Sequence, residues 1–174
     1  FAIDKDLTIF FLTSRHTQHK IVIDTLKEIK KKYNVNFIAT SIIGKKFMCA
    51  QENVTSMYSN DFIEFCKSLR EDKKCEFYTN VNPKNINCKF VNEDIEKSSP
   101  VTVEELVEKS KNARVCPYEI ALMQSGKSKI IIADYNYIFN PAIRDSLFRK
   151  TNKSLDKSII IVDEGHNLPD RVRE

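Results

Sequence analysis

Leu7–Thr13 (LTIFFLT) is a continuous apolar and β-branched run of strand length. A run without alternation suits a strand covered on both faces, as in a parallel sheet. The pattern then changes period. From Thr17 to Tyr33 it predicts a helix, with Val22, Leu26, Ile29 and Tyr33 on one face and Lys20, Lys27 and Lys31 elsewhere. Val35–Ile43 reads as a second strand, which completes a β-α-β unit. After Gly44 the periodic segments become short. Asp61–Glu71 suits a helix. Thr102 and Glu105 match a capping box that opens a helix to about Asn112, and Pro117 starts another that Gly126 stops. Alternation returns at Lys129–Phe139, read as a strand. A short helix over Pro141–Lys150 follows, then a strand of the two-sided buried kind at Ser158–Val162. The expected fold is α/β. A parallel sheet is built from residues 1–43 and 117–174, and residues 44–116 form an insert between them.

Hydrophobic residues make up 41% of the 174, enough for a sizeable core. No apolar run approaches the roughly 20 residues of a membrane helix, so no membrane partner is expected. The chain opens on Phe1 with no basic stretch and no cleavage site, so it does not read as a signal peptide. It lacks an initiator Met and is expected to be part of something longer. The net charge is +4, and its surplus lies in residues 1–43, where seven Lys and Arg face four Asp and Glu. That surplus permits nucleic-acid contact without requiring it.

The sharpest chemical signal is Val162–Asn167 (VDEGHN). Parallel sheets gather ligands at the carboxyl ends of their strands. Asp163 there can hold a hydrated Mg²⁺ that bridges nucleotide phosphates. Glu164 can orient or deprotonate an attacking water, and His166 can relay the nucleotide state by hydrogen bonding. Two other strand ends carry useful groups. Thr13, Ser14 and Arg15 suit phosphate oxygens. Tyr135, Tyr137 and Phe139 alternate along the expected strand, where their faces can either stack bases or pack a core.

Five cysteines stand at 49, 66, 75, 88 and 116, all inside the insert. An odd number without a secretion signal argues against a disulfide framework and points to a reduced intracellular compartment. None has the tight pairing of structural zinc. The loose spacing fits an iron–sulfur cube, in which each thiolate reaches a different iron, and it fits unconnected buried thiols equally well. Cys116 precedes Pro117 at a helix start, whose positive end favours a thiolate. Lys45 and Lys46 precede Cys49, and Lys73 and Lys74 precede Cys75, so cations are expected to lower these thiol pKa values. Cys88 reads as a spare thiol.

In order along the chain, Leu12–Arg15 (LTSR), Lys45–Cys49 (KKFMC), Phe65–Leu69 (FCKSL), Lys74–Tyr78 (KCEFY), Val115–Tyr118 (VCPY), Ala133–Ile143 and Val162–Asn167 resemble the XPD family of superfamily 2 DNA helicases. The resemblance covers nearly the whole chain. It implies a RecA-like, P-loop NTPase-type motor domain interrupted by a small, mainly helical iron–sulfur domain. It implies a 4Fe–4S cluster on Cys49, Cys66, Cys75 and Cys116. It also implies an ATP-dependent 5′-to-3′ helicase on single-stranded or forked DNA, in repair resembling nucleotide excision, with repair-complex proteins as partners. Asp163 with Mg²⁺ and ATP, and Glu164 with His166, would be the catalytic groups. Ser14, Arg15, Lys45, Lys46 and Tyr118 would lie along the DNA, joined by Tyr135 and Tyr137 if they stack. The compartment would be nuclear in a eukaryote and cytoplasmic in a prokaryote. Two other functions remain open: a redox-sensing module, and a zinc-stabilised nucleic-acid-binding module without a motor.

Gly165 stands where the family usually has Ala, and Cys88 is a fifth cysteine. The family's phosphate-binding loop would precede Phe1, and an arch insert and second motor domain would follow Glu174. The 174 residues alone are therefore expected neither to hydrolyse ATP nor to unwind DNA. Phosphate release in the presence of single-stranded DNA, at the no-protein background, is the expected result.

Overall fold

A computed structural model of the chain describes residue 2 and residues 5–173, excepting the side chains of 171–173. Phe1 and Glu174, the outer limits of the two expected sheet segments, lie outside the described residues. Among the described residues, four strands form one parallel sheet: β1 (Thr8–Thr13), β2 (Ala39–Ser41), β3 (Ile130–Asp134) and β4 (Ser158–Val162), in the order β2-β3-β1-β4. The expected α/β class and parallel sheet are found. The helices are α1 (His16–Tyr33), α2 (Ser59–Glu71), α3 (Glu76–Thr79), α4 (Ile86–Ser98), α5 (Val103–Asn112), α6 (Pro117–Lys127), α7 (Asn136–Phe139), α8 (Pro141–Thr151) and α9 (Leu168–Arg173).

Strand parity sorts the core into two layers. Phe10 and Leu12 of β1 with Ile131 and Ala133 of β3 face a large cluster built with α4, α5, α6 and α8. Ile132 and the partly buried Phe11 and Ile130 face Ile23 and Leu26 of α1. The buried stripe of α1 is therefore His19, Ile23 and Leu26. Of the expected stripe Leu26 is buried, but Ile29 and Tyr33 are exposed, and His19 and Ile23 take the remaining places. Val22 packs only at the margin.

Three further expectations give way. The strand expected at Val35–Ile43 shrinks to Ala39–Ser41. The β4 strand is not buried on both faces. It pairs only with β1 among the described strands, and Ile161 is 40% exposed. The strand expected at Lys129–Phe139 ends at Asp134, whose carboxylate accepts the backbone N–H of Asn136 at 2.9 Å and turns the chain into α7. Local capping does match: Thr102 and Glu105 form a reciprocal capping box at α5, and Pro117 opens α6. Gly126 does not stop α6, which runs one residue further to Lys127.

The 44–116 stretch does not pack as a separate body. Val91, Ile95, Val103 and Leu106 from it join the same buried cluster as Phe10 and Leu12. Ser99 ties it to β2, its hydroxyl accepting from Ala39 N at 2.9 Å and donating to Ala39 O at 3.0 Å. Asn85 caps α4 by accepting from Asn87 N and Cys88 N.

His19 joins α1 to β2 through a 2.6 Å hydrogen bond between its Nδ1 and the Ser41 hydroxyl. Burial, with the charge of His16 second, pushes its pKa down to about 4. Its folded value lies below its unfolded value, so its contribution is full above pH 6.5 and is lost as pH falls towards 4. That loss is roughly 2–3 kcal/mol. Urea unfolding at pH 7 and pH 4.5 is expected to show this drop, and His19→Gln is expected to flatten it.

Candidate functional site

The parallel register places three strand exits on one rim. Thr13 of β1 lies opposite Asp134 of β3, and the N–H of Asp163, just past β4, donates to Leu12 O at 2.8 Å. Thr13, Ser14, Arg15, Asp134 and Asn136 line an open cleft of about 540 Å³. Arg15 is exposed there. The sequence-expected convergence of Ser14 and Arg15 with the acids on one edge is thus realised.

The turn carrying Asp163 and Glu164 is held in an uncommon shape. Glu164 has φ 51° and ψ 44°, the left-handed region that costs a non-glycine residue about 1 kcal/mol or more. Tyr135 holds this turn: its hydroxyl donates to the backbone carbonyls of both Asp163 and Glu164, the latter at 3.0 Å. His166 Nδ1 lies 3.2 Å from Glu164 Oε2. Gly165 lies within ordinary contact distance of Val162, so a Cβ fits there, and the usual Ala would be accommodated.

Tyr135 and Tyr137 do not form stacking platforms. They are 2% and 5% exposed, and Tyr137 donates its hydroxyl to Ile43 O at 2.8 Å. The strand that would have presented them has already turned into α7, so their rings pack the core. Tyr135 has a role that its sequence pattern did not reveal, tying the exit of β3 to the acidic turn.

The second feature lies in the insert. Cys49, Cys66, Cys75 and Cys116 all line one small apolar cavity, though long stretches of sequence separate them. Cys88 is elsewhere, buried under α4 where Asn92 Nδ2 donates to its carbonyl at 2.9 Å. Backbone bonds lace the cysteine segments together. Cys75 N donates to Leu69 O at 3.0 Å and Cys116 N to Phe77 O at 2.9 Å. Gln51 Nε2 reaches Cys75 Sγ at 3.7 Å. Among the described residues, no group of three or more His, Cys, Asp or Glu side chains is arranged to hold a metal ion.

Thiol acidity runs against expectation. Burial pushes Cys116 up to about 11 and also raises Cys49. The backbone N–H groups at the start of α6 do pull Cys116 down, but burial outweighs them. The cations beside the thiols also differ. Lys73 and Lys74 are not among the lining residues, and Lys74 pairs with Asp72 at 2.9 Å. Lys45 and Arg70 do line the cavity. Lys45 stacks over Tyr118 at 5.3 Å and lies 3.6 Å from Glu119. Lys46 Nζ donates to Met57 O at 3.0 Å. Both lysines and Tyr118 border a neighbouring groove of about 470 Å³. Arg70 was missed in the sequence. Its signal was its place four residues after Cys66 on a helix, which puts the two on one face.

The DEAD_2 family pattern matches residues 11–174. The chain is 28% identical over 163 residues to the regulator of telomere elongation helicase 1 homolog of Caenorhabditis briggsae, covering 92% of this chain and 15% of that protein. It is 32% identical over 178 residues to the ATP-dependent DNA helicase CHL1 of Meyerozyma guilliermondii, covering 94% of this chain and 20% of that protein. The chain thus spans a fifth or less of these relatives' length. A solved truncated XPD superposes with a TM-score of 0.60 at 22% identity, over 95% of this chain and 42% of that one. That likeness establishes the fold, a parallel α/β sheet with packed helices.

The cysteine cavity and the sheet draw on different contacts. On sequence grounds, losing one cysteine ligand should unfold all of 44–116. The shared core confines the effect, because α4 and α5 are anchored against β1 and α6. Cys116→Ser is expected to expose new protease sites within residues 45–79 and none within 86–112, as read by limited proteolysis with mass spectrometry.

Proposed function

The chain belongs to the DEAD_2 family, and from that premise we propose that the whole protein is an ATP-driven DNA helicase. It moves 5′ to 3′ on single-stranded or forked DNA and serves repair together with partner proteins. One observation carries the reading: two hydroxyls with a guanidinium, and a paired-acid turn, leave adjacent parallel strands on one rim. Asp163 would hold the Mg²⁺ of bound ATP, and that ion supplies neutralising charge to the phosphates. Glu164 takes the proton of the attacking water. His166 stands 3.2 Å from the Glu164 carboxylate and orients it. Tyr135 fixes both acids through their backbone. Ser14 and Arg15, which line the cleft at the exit of β1, bind DNA phosphates. Lys45, Lys46 and Tyr118 line the groove beside the cysteines and extend that path.

We read the cysteine cavity as the seat of a 4Fe–4S cluster, as the resemblance of the four cysteine segments implies. Four cysteines from separate segments line one cavity, and their loose spacing along the chain fits a cube with one iron per thiolate. When bound, the cluster supplies a cross-link among four segments of the insert. The protein works in a reducing compartment, the nucleus where there is one.

Glu164→Gln in the full-length protein is expected to lower DNA-stimulated ATP turnover by at least ~100-fold while DNA affinity stays within about twofold. ATP turnover at the wild-type rate overturns the assignment of the acid.

A further inference from the structure

We propose that Arg70 is a positioning residue for the metal–sulfur group of the cysteine cavity, donating hydrogen bonds to its sulfur atoms and offsetting its negative charge. This rests on the cluster reading above.

Arg70 sits one helical turn after Cys66 on α2, so the two side chains share a face. Both line the cavity. The Arg70 Nε is buried and has no hydrogen-bond partner. A buried N–H left unpaired is costly, more so on a charged group, so its persistence calls for an acceptor. Four of the residues lining the cavity are cysteines, whose sulfurs accept hydrogen bonds once they carry negative charge. Tyr78 braces the guanidinium, its ring centre lying 5.1 Å from Cζ. The other cation there, Lys45, is already engaged by Glu119 and the Tyr118 ring. Among the described residues Arg70 has no carboxylate partner. Its charge is therefore available to the sulfurs.

Four thiolates on an iron–sulfur cube give a net anion. Hydrogen bonds to sulfur and nearby positive charge favour its more reduced, more negative form, and this raises its reduction potential. The planar guanidinium supplies several N–H groups from one fixed fork, which a lysine does not reproduce.

The test uses the full chain purified without oxygen, as wild type, Arg70→Met, Arg70→Gln and Arg70→Lys. Iron, acid-labile sulfide and zinc are measured first. A redox titration followed by the paramagnetic signal of the reduced cluster comes next. Arg70→Met is expected to shift the midpoint potential downward and to lose sulfide several-fold faster in air. Arg70→Lys should restore part of the potential, since it returns the charge without the fork. Arg70→Gln is the milder comparison if the Met variant fails to fold, and it too should lie below wild type. A wild-type potential in either Arg70→Met or Arg70→Gln overturns the proposal while leaving the cluster in place. One zinc and no iron in the wild-type chain overturns the cluster reading, and this inference with it.

Discussion

Strand β1 is hydrogen-bonded along both edges, to β3 on one side and β4 on the other, and the rest of the site follows from that double pairing. Its side chains alternate between two packed layers: Phe10 and Leu12 belong to one and Phe11 to the other. A slip of one residue would exchange the layers, so the register is strongly fixed. With the register fixed, the three exits at Thr13, Asp134 and Asp163 come to one level. The hydroxyls, the guanidinium of Arg15 and the two acids then share a rim without any dedicated contact to gather them. Tyr135 adds a specific tie across the exits of β3 and β4.

Much of this was legible because burial writes itself into sequence. The LTIFFLT run, the capping box at Thr102 and the proline at 117 each act through local rules, and each was found where expected. The failures have physical reasons of their own. The Tyr135–Phe139 alternation mimics a strand, yet one side-chain bond from Asp134 turns the chain before it begins. The stripe on α1 was set by its neighbours β2 and β3, which sequence periodicity does not see. Helix α4 was hidden by polar residues around it, though Asn85 caps it and Cys88, Val91 and Ile95 lie at helical spacing. The convergence of four cysteines was not legible from spacing. It came from the resemblance, and the cavity they share is what the structure adds.

That cavity sets burial against charge. The start of α6 offers N–H groups to Cys116, and Lys45 is near, but desolvation wins and the thiol is held neutral to about pH 11. A metal binding there must release protons, so its affinity rises with pH and with any nearby cation that stabilises thiolate. The buried, unpartnered Arg70 Nε fits the same economy: a group costly to bury becomes useful once anionic sulfur lies beside it.

Topology explains why the two features are neighbours. The insert connects β2 to β3, which lie side by side and parallel. Such a crossover must leave from the carboxyl end of the first strand and return to the amino end of the second. The carboxyl end is the functional rim, so the insert starts at the rim by necessity. Only three residues separate the end of β2 at Ser41 from Lys45, and Cys49 follows directly after that turn. The first cysteine and the groove-lining lysines are thus placed beside the strand exits before any packing of the insert is considered. The later part of the insert, α4 and α5, runs down one face of the sheet and is absorbed into its core. A crossover between adjacent parallel strands has therefore been divided in two. Its first half starts at the rim and carries Cys49, Cys66 and Cys75, its second half does the covering work that any β-α-β connection must do, and Cys116 at its end returns to the same cavity.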